Sequence, residues 1–361
     1  MTAQPLTIGV EEEFHVVDAA TGAPADEDLD GPDLEPELHR DMVETTTAVC
    51  TTLSGVRAEL ERLRTAAAKA AAAAGRRIAA AGTLPMSDGR LAEITPTERY
   101  QKIGHLHQQV AREQSTCGLH VHVGIADRDL AVAVGNHARL WLPALLALSA
   151  SSPYWSRIDT GYASYRTILW RQWPTADVPE PFSSAAEYDG VTQALVATGA
   201  ILDAGQLYHD LRPSAHQETL EFRISDSCTT VDEAVLQAGL TRALARTCRD
   251  AVLRGEPVAP VRTELIRGAK WRAARYGLAD HLADVVAVRA MPAAELLAAF
   301  LDHLRPALEE EGDADEVSAL LDAALERGSG ADRQRRAFAR RRRLADVVDR
   351  ICLETAPGDR G

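Results

Sequence analysis

Aromatic side chains are scarce in this 361-residue chain, at 5%, so a core of this size has to be built largely from Ala, Leu and Val. Cysteine is equally thin: Cys50, Cys117, Cys228, Cys248 and Cys352 are odd in number, widely scattered and without a Cys-x-x-Cys pair. That pattern argues against a disulfide framework or a structural zinc and for a reduced, cytoplasmic protein. The start, Met1 to Thr7, is short and polar and reads as no secretory leader. The longest apolar run, Leu140 to Ala150, is too short to cross a bilayer and contains Pro143, so no transmembrane helix is expected. There is no Gly-x-Ser-x-Gly elbow, no Walker A glycine loop and no repeat of fixed period. Positive charge is also in deficit: 39 Lys and Arg against 53 Asp and Glu leave a net charge of −14. A nucleic-acid or anionic-membrane binder working through bulk charge is thereby excluded, and attraction to phosphate has to be local.

What is present is an ordinary globular composition, 46% hydrophobic and 25% charged. Length alone suggests about two domains or one large α+β domain. Thr7 to Asp18 alternates Ile8, Val10, Phe14 and Val16 against Gly9, Glu11, Glu13 and His15, the signature of a half-buried strand. Thr51 to Arg77 predicts a helix interrupted near Gly75, followed by a strand from Arg76 to Leu84 closed by Pro85. Gly118 to Ile125 predicts a second alternating strand with His120 and His122 on one face, and Leu220 to Ser225 a third with Glu221 and Arg223 together. Ala131 to Ser149 reads as a buried helix broken or started at Pro143, Val231 to Leu253 as an amphipathic helix, and Thr263 to Leu353 as almost entirely helical. Between Ser151 and Ser184 lies an irregular stretch rich in Pro, Trp, Tyr, Arg and Asp. Strands and helices mix without a regular βαβ rhythm, which favours an antiparallel α+β sheet covered by helices.

Three strands thus each present polar, metal-competent groups on one face. Residues two apart on a strand point the same way, so Glu11 with Glu13 and His120 with His122 can line one floor. A sheet face of carboxylates is costly to bury unless cations occupy it, and hard oxygen ligands suit Mg²⁺ or Mn²⁺. Singly, each signal has a plainer reading. The acidic triplet suits a solvated face, the histidines a satisfied core or edge, Glu221 and Arg223 a mutual pair, and Glu37 and Glu44, around Pro36 to Thr47, a charged helix surface.

The conjunction resembles a known family. Gly9-Val10-Glu11-Glu12-Glu13-Phe14, Cys117-Gly118-Leu119-His120-Val121-His122-Val123-Gly124, Asp159-Thr160-Gly161-Tyr162-Ala163-Ser164-Tyr165-Arg166 and Thr219-Leu220-Glu221-Phe222-Arg223-Ile224-Ser225-Asp226 follow in the order seen in the type 2 glutamate–cysteine ligases. Leu142 to Pro153 and Trp271-Arg272-Ala273-Ala274-Arg275-Tyr276-Gly277-Leu278 resemble the same family, so the similarity runs from about Leu6 to Thr355. One departure is Thr83-Leu84-Pro85, where that family commonly has Thr-His-Pro.

The resemblance implies one catalytic domain over residues 1–361, of α+β class. Its glutamine-synthetase-like antiparallel sheet would have one face under helices and the other forming the active site. It implies an ATP-dependent carboxylate–amine ligase that forms an amide through a γ-glutamyl phosphate and releases ADP, with Mg²⁺ or Mn²⁺ as metal. Carried over by position, Glu11, Glu13, Glu37, Glu44, His120 and Glu221 would hold metal, Arg223 and Arg166 would act on phosphate or substrate carboxylate, and Arg157 less directly. The substrates would be a glutamate-like acid and cysteine or another amine, and the assembly a homodimer. A ligase for another acid or amine, or a metal-dependent amide hydrolase using the same floor to activate water, are the competing readings.

Overall fold

The computed structural model describes residues 6–87 and 92–356. In chain order its strands are β1 (Ile8–Asp18), β2 (Glu35–Pro36), β3 (Met42–Thr46), β4 (Arg76–Ala79), β5 (Gly118–Gly124), β6 (Tyr154–Trp155), β7 (Ile158–Asp159), β8 (Leu211–Pro213), β9 (Thr219–Asp226), β10 (His281–Asp284) and β11 (Arg289–Pro292). The helices of the first half are α1 (Leu53–Ala73), α2 (Glu98–His107), α3 (Gln109–Glu113), α4 (Arg128–Ala138), α5 (Leu142–Ser149), α6 (Arg166–Trp170) and α7 (Ala185–Ala197). Those of the second half are α8 (Val231–Leu253), α9 (Thr263–Tyr276), α10 (Ala293–Glu311), α11 (Ala314–Arg327), α12 (Gly330–Arg341) and α13 (Leu344–Thr355).

The main sheet has the order β2-β3-β1-β5-β9-β8, with β4 taking over from β3 along the far end of β1. Every neighbouring pair is antiparallel. Strand alternation sends Ile8 and Val10 from β1, Leu119, Val121 and Val123 from β5, and Leu220, Phe222 and Ile224 from β9 into one buried cluster with Leu53, Val56 and Leu60 of α1 and Leu236, Leu240 and Leu244 of α8. That cluster is built from Ala, Leu, Val and Ile with few aromatics, as the composition requires. Caps fix where the covering helices begin: the Thr52 hydroxyl accepts from Gly55 N, and Thr230 with Glu233 forms a reciprocal capping box at the start of α8. A charged pair is buried under the sheet in this layer. Glu12, on the core face of β1, receives Arg64 Nε at 2.9 Å and Nη2 at 2.6 Å, and Arg64 also donates to the Thr229 and Cys228 carbonyls at 2.9 and 2.7 Å.

Several expectations need revision. The Pro36 to Thr47 stretch is not a helix surface: β3 hydrogen-bonds to β1 with Glu13 opposite Glu44, so pairing with a long central strand overrides local preference. The first helix stops at Ala73 because Gly75 turns the chain with φ 71°, and the strand after it ends at Ala79 rather than Leu84. The 131–149 segment does break at Pro143, as expected: it is two helices bent by 71°, with Pro143 in the first turn of α5, where its missing N–H costs nothing. Among the described residues no single helix is long and apolar enough to cross a membrane. The C-terminal region is interrupted by the β10–β11 hairpin. Helices α2, α3 and α7 were not foreseen. Leu84, at the departure from the family's Thr-His-Pro, is buried beside Val17, Tyr154 and Val347, so an apolar side chain fits the place it occupies.

Candidate active site

On the opposite face of the sheet the chemistry-bearing residues meet. Register places Glu11 opposite His120, Glu13 opposite Glu44, His122 opposite Glu221 and Arg212 opposite Glu221. A bulge between β5 and β9 sets Arg223 and Ile224 against the single residue His120, and such bulges re-aim side chains. Above it Ser225 turns to the helical side, where its hydroxyl lies 3.2 Å from Gln237 Oε1. Glu11 Oε2 lies 2.9 Å from His120 Nδ1 and Glu11 Oε1 3.0 Å from His122 Nε2, the latter without hydrogen-bonding geometry. Glu221 is held by Arg212 through Nε at 2.7 Å and Nη2 at 3.3 Å, and by Arg223. Gly118 N donates to Glu13 Oε2.

Three overlapping trios have ligand atoms all within 4.8 Å of one another: Glu11, His122 and Glu221; Glu11, Glu44 and His120; Glu13, Glu37 and Glu44. Every metal-ligating residue expected from the sequence is therefore in the cluster, and His122 joins it. The electrostatics divide the cluster in two. Burial works against the charge on Glu11, but His120 and His122 hold its carboxyl well below the usual range. Glu221 is likewise kept low against burial, by Arg223 and Arg212. At the other end, burial and then the Glu13 charge push Glu37 up to about 7, and burial with Glu11, Glu37 and Glu13 raises Glu44 well above the ordinary carboxylate value. His120 is pushed down by burial and Arg223, so it is a neutral imidazole. Its Nε2 is buried, has no hydrogen-bond partner among the described residues and lies 3.7 Å from Glu13 Oε1. Carboxylate oxygens short of positive charge, with a neutral imidazole nitrogen beside them, are a donor set that fits a hard divalent cation.

Glu11, Glu13, Glu37, Glu44 and His120 floor a cavity of about 170 Å³, which His122 and Glu221 do not line. Its other walls come from Trp170 and Trp173, in the irregular 151–184 stretch, and from residues the sequence did not mark, Tyr100 of α2 and Tyr208, with Arg99 tied to Asp203. Trp170 and Trp173 stand 5.0 and 5.2 Å from the Tyr208 ring, so this wall is a packed aromatic group. Arg223 lines the cavity; Arg166 and Arg157 do not. Arg166 is buried over the Trp170 ring at 5.4 Å, within reach of the Arg223 and Ile224 carbonyls at 3.4 and 3.5 Å. A Cβ on Gly118 would stand 2.4 Å from its Nη2, which is why glycine is needed there. The Arg166 backbone N–H is held by Ser152 Oγ, which donates to the buried Asp226, while Asp159 is bound by Arg335. Arg157 sits exposed in the turn between β6 and β7 with φ 64°. Arg212 was missed because β8 is three residues long and gives no alternation to read. The five cysteines are free and buried, and burial raises the Cys117 and Cys228 thiols well above their usual value, so none is a ready nucleophile.

The model of Glutamate-cysteine ligase family 2 matches residues 7–354. A Frankia alni protein named "Putative glutamate--cysteine ligase 2-2" is 45% identical over 372 residues, covering 97% of each chain. A Mycolicibacterium smegmatis protein named "Putative glutamate--cysteine ligase 2-3" is 44% identical over 358 residues, covering 97% of this chain and 98% of its own. Other relatives are longer: the chain spans only 42% of a Frankia casuarinae protein to which it is 45% identical. Among solved structures, a glutamate–cysteine ligase from Francisella tularensis in complex with AMP aligns with TM-score 0.68 at 12% identity over 99% of this chain and 90% of that one. A bifunctional glutathione synthetase from Pasteurella multocida aligns at 0.70 and 16%, covering 98% of this chain and 53% of that one. The fold is thus the α+β fold with an antiparallel sheet expected from the motifs, and it is shared with these two ligases. With the family matched along almost its whole length, this chain belongs to Glutamate-cysteine ligase family 2.

Proposed function

We propose that this chain is an ATP-dependent carboxylate–amine ligase that activates a glutamate-like acid as its acyl phosphate and passes the acyl group to an amine, cysteine or another. The observation that carries this reading is the run of three ligand trios along one sheet face, joined by the shared Glu11 and Glu44. Glu11, Glu13, Glu37, Glu44, His120 and Glu221, with His122, would hold Mg²⁺ or Mn²⁺, which when bound neutralises the phosphate charge of ATP. That also explains how a chain of net charge −14 takes a nucleotide.

The chain's own residues supply orientation and fixed charge. Arg223, on the floor beside His120 and kept cationic by Glu221, faces the cavity where a transferring phosphoryl group or the substrate carboxylate would lie. Arg212 holds the other side of Glu221, so that carboxylate cannot turn away. Arg166 acts one layer back: it packs on Gly118, whose N–H fixes Glu13, and its donors approach the Arg223 carbonyl. The reaction transfers the γ-phosphoryl group of ATP to a carboxylate oxygen, leaving ADP; the amine nitrogen then attacks the acyl carbon and phosphate leaves. No covalent enzyme intermediate is needed, which agrees with the buried, high-pKa thiols.

The test is ADP release by the purified protein with Mg²⁺ and a panel of acids and amines. Release that requires acid, amine and metal together supports the ligase. Amide cleavage with metal and no nucleotide overturns it.

A further inference from the structure

The C-terminal helices carry a charge pattern opposite to the rest of the chain. Residues 327–350 contain nine arginines and three aspartates, a local charge of +6 in a chain of net −14. Helices α12 and α13 flank a groove of about 760 Å³ lined by Arg336, Arg340, Arg341, Arg350, Asp346 and Asp349. Its volume lies in the range of small-ligand pockets, roughly 300 to 1,000 Å³.

The carboxylates near this groove are already used. Asp346 takes two hydrogen bonds from Arg341 at 2.9 and 2.8 Å, Asp349 receives Arg77 at 2.9 Å, and Glu354 is bound by Arg350 and Arg333. Two cations are left over. Arg336 donates to the Arg327 carbonyl, a neutral acceptor, and Arg340 has no ion pair or hydrogen bond among the described residues. Both are exposed and stand four apart on one helix, so their side chains are neighbours on the same face. Like charges at that spacing repel, and an anion bridging them converts the repulsion into two charge-assisted contacts. Guanidinium forks are suited to phosphate oxygens in particular.

We propose that this groove is a binding site for a compact polyphosphate, a small molecule bearing at least two linked phosphate groups, clamped between Arg336 and Arg340 with Arg341 and Arg350 beside them. Size and field favour a compact ligand over an extended polyanion. Helix α12 is only about 18 Å long. Outside residues 327–350 the chain carries a net charge of −20, so the positive charge is concentrated on this one segment.

The experiment is a calorimetric titration of the full chain with tripolyphosphate in EDTA, where the metal floor of the proposed ligase site cannot take part; the result therefore stands or falls apart from the ligase reading. Saturable binding with one site per chain is expected, weakened about tenfold or more in Arg336→Ala/Arg340→Ala. Because both side chains are exposed, the variant should melt as the wild type does, which keeps a lost signal interpretable. An unchanged affinity in the variant overturns the proposal. So does orthophosphate binding as tightly as tripolyphosphate, which would mean an adventitious ion only. Tighter binding of single-stranded DNA or of phosphatidylglycerol vesicles than of tripolyphosphate would assign the face to an extended polyanion or a lipid surface and overturn it too.

Discussion

The sharpest stability consequence concerns the ion pair under the site. Glu12 lies between Glu11 and Glu13 on β1, so the strand that offers two carboxylates to the cavity offers a third to the core. Its side chain and that of Arg64 are 1% and 0% exposed, so neither charge has water as an alternative partner. Replacing Arg64 by Leu leaves the Glu12 carboxylate buried without its cation. It also strips a donor from the Thr229 and Cys228 carbonyls. Breaking a buried pair from one side costs about 3 to 5 kcal/mol, and each orphaned carbonyl about 1 kcal/mol more where water cannot reach it. The single change should therefore remove about 4 kcal/mol or more, a large part of the 5 to 15 kcal/mol typical of a whole domain. Glu12→Leu should cost a comparable amount, since Arg64 is then the stranded charge. The double change Glu12→Leu/Arg64→Leu should recover much of the loss, because an apolar pair strands no charge. Urea unfolding followed by circular dichroism measures all three. Single variants within about 1 kcal/mol of wild type, or a double variant as unstable as the sum of the singles, would refute the view that this pair is a matched, fully desolvated unit.

Glu13→Gln and Glu221→Gln should each lower Mg²⁺-dependent ADP release about 100-fold or more while the circular dichroism spectrum still shows a folded chain, and wild-type turnover in both would remove them from the proposed metal floor. Glu44→Gln relieves repulsion among Glu11, Glu13 and Glu37, so in EDTA it should melt higher than wild type while losing the rise in melting temperature that Mg²⁺ gives; differential scanning fluorimetry with and without the metal reads both. Gly118→Ala drives a methyl into Arg166 and should impair ADP release without unfolding the protein, with recovery in Gly118→Ala/Arg166→Lys if the clash is the cause. Burial pushes the His15, His39 and His209 imidazoles down to about 4. The unfolded chain binds protons on them near 6.5 while the folded chain does not, so stability should fall as pH drops from about 6.5 towards 4; urea midpoints across that range that stay flat would contradict neutral burial.

Alternation in β1, β5 and β9 was sufficient to put Glu11, Glu13, His120, His122, Glu221 and Arg223 on one face, because side-chain direction in a strand is a local property with period two. The ordered motifs then identified the family, and the apolar periodicity of α8 located that helix from Val231 to Leu253. Pairing is not local. That β3 is a strand, and that Glu44 faces Glu13, follows only from hydrogen bonds to β1, and the same residues on their own suit a helix surface. Arg212 reaches Glu221 from a three-residue strand, and the aromatic wall gathers Tyr100, Trp170, Trp173 and Tyr208 from separate parts of the chain. Arg166 illustrates the limit most clearly: its motif marked it, but only packing shows it buried against Gly118 rather than open to the cavity.

The sequence by itself therefore determined which groups within β1, β5 and β9 point the same way, since that depends on backbone geometry over a few residues. Tertiary structure alone decided their charge states. Whether a carboxylate is held low, as Glu221 is by two arginines, or pushed up, as Glu37 is by burial and Glu13, depends on solvent exclusion and on partners brought in from distant segments.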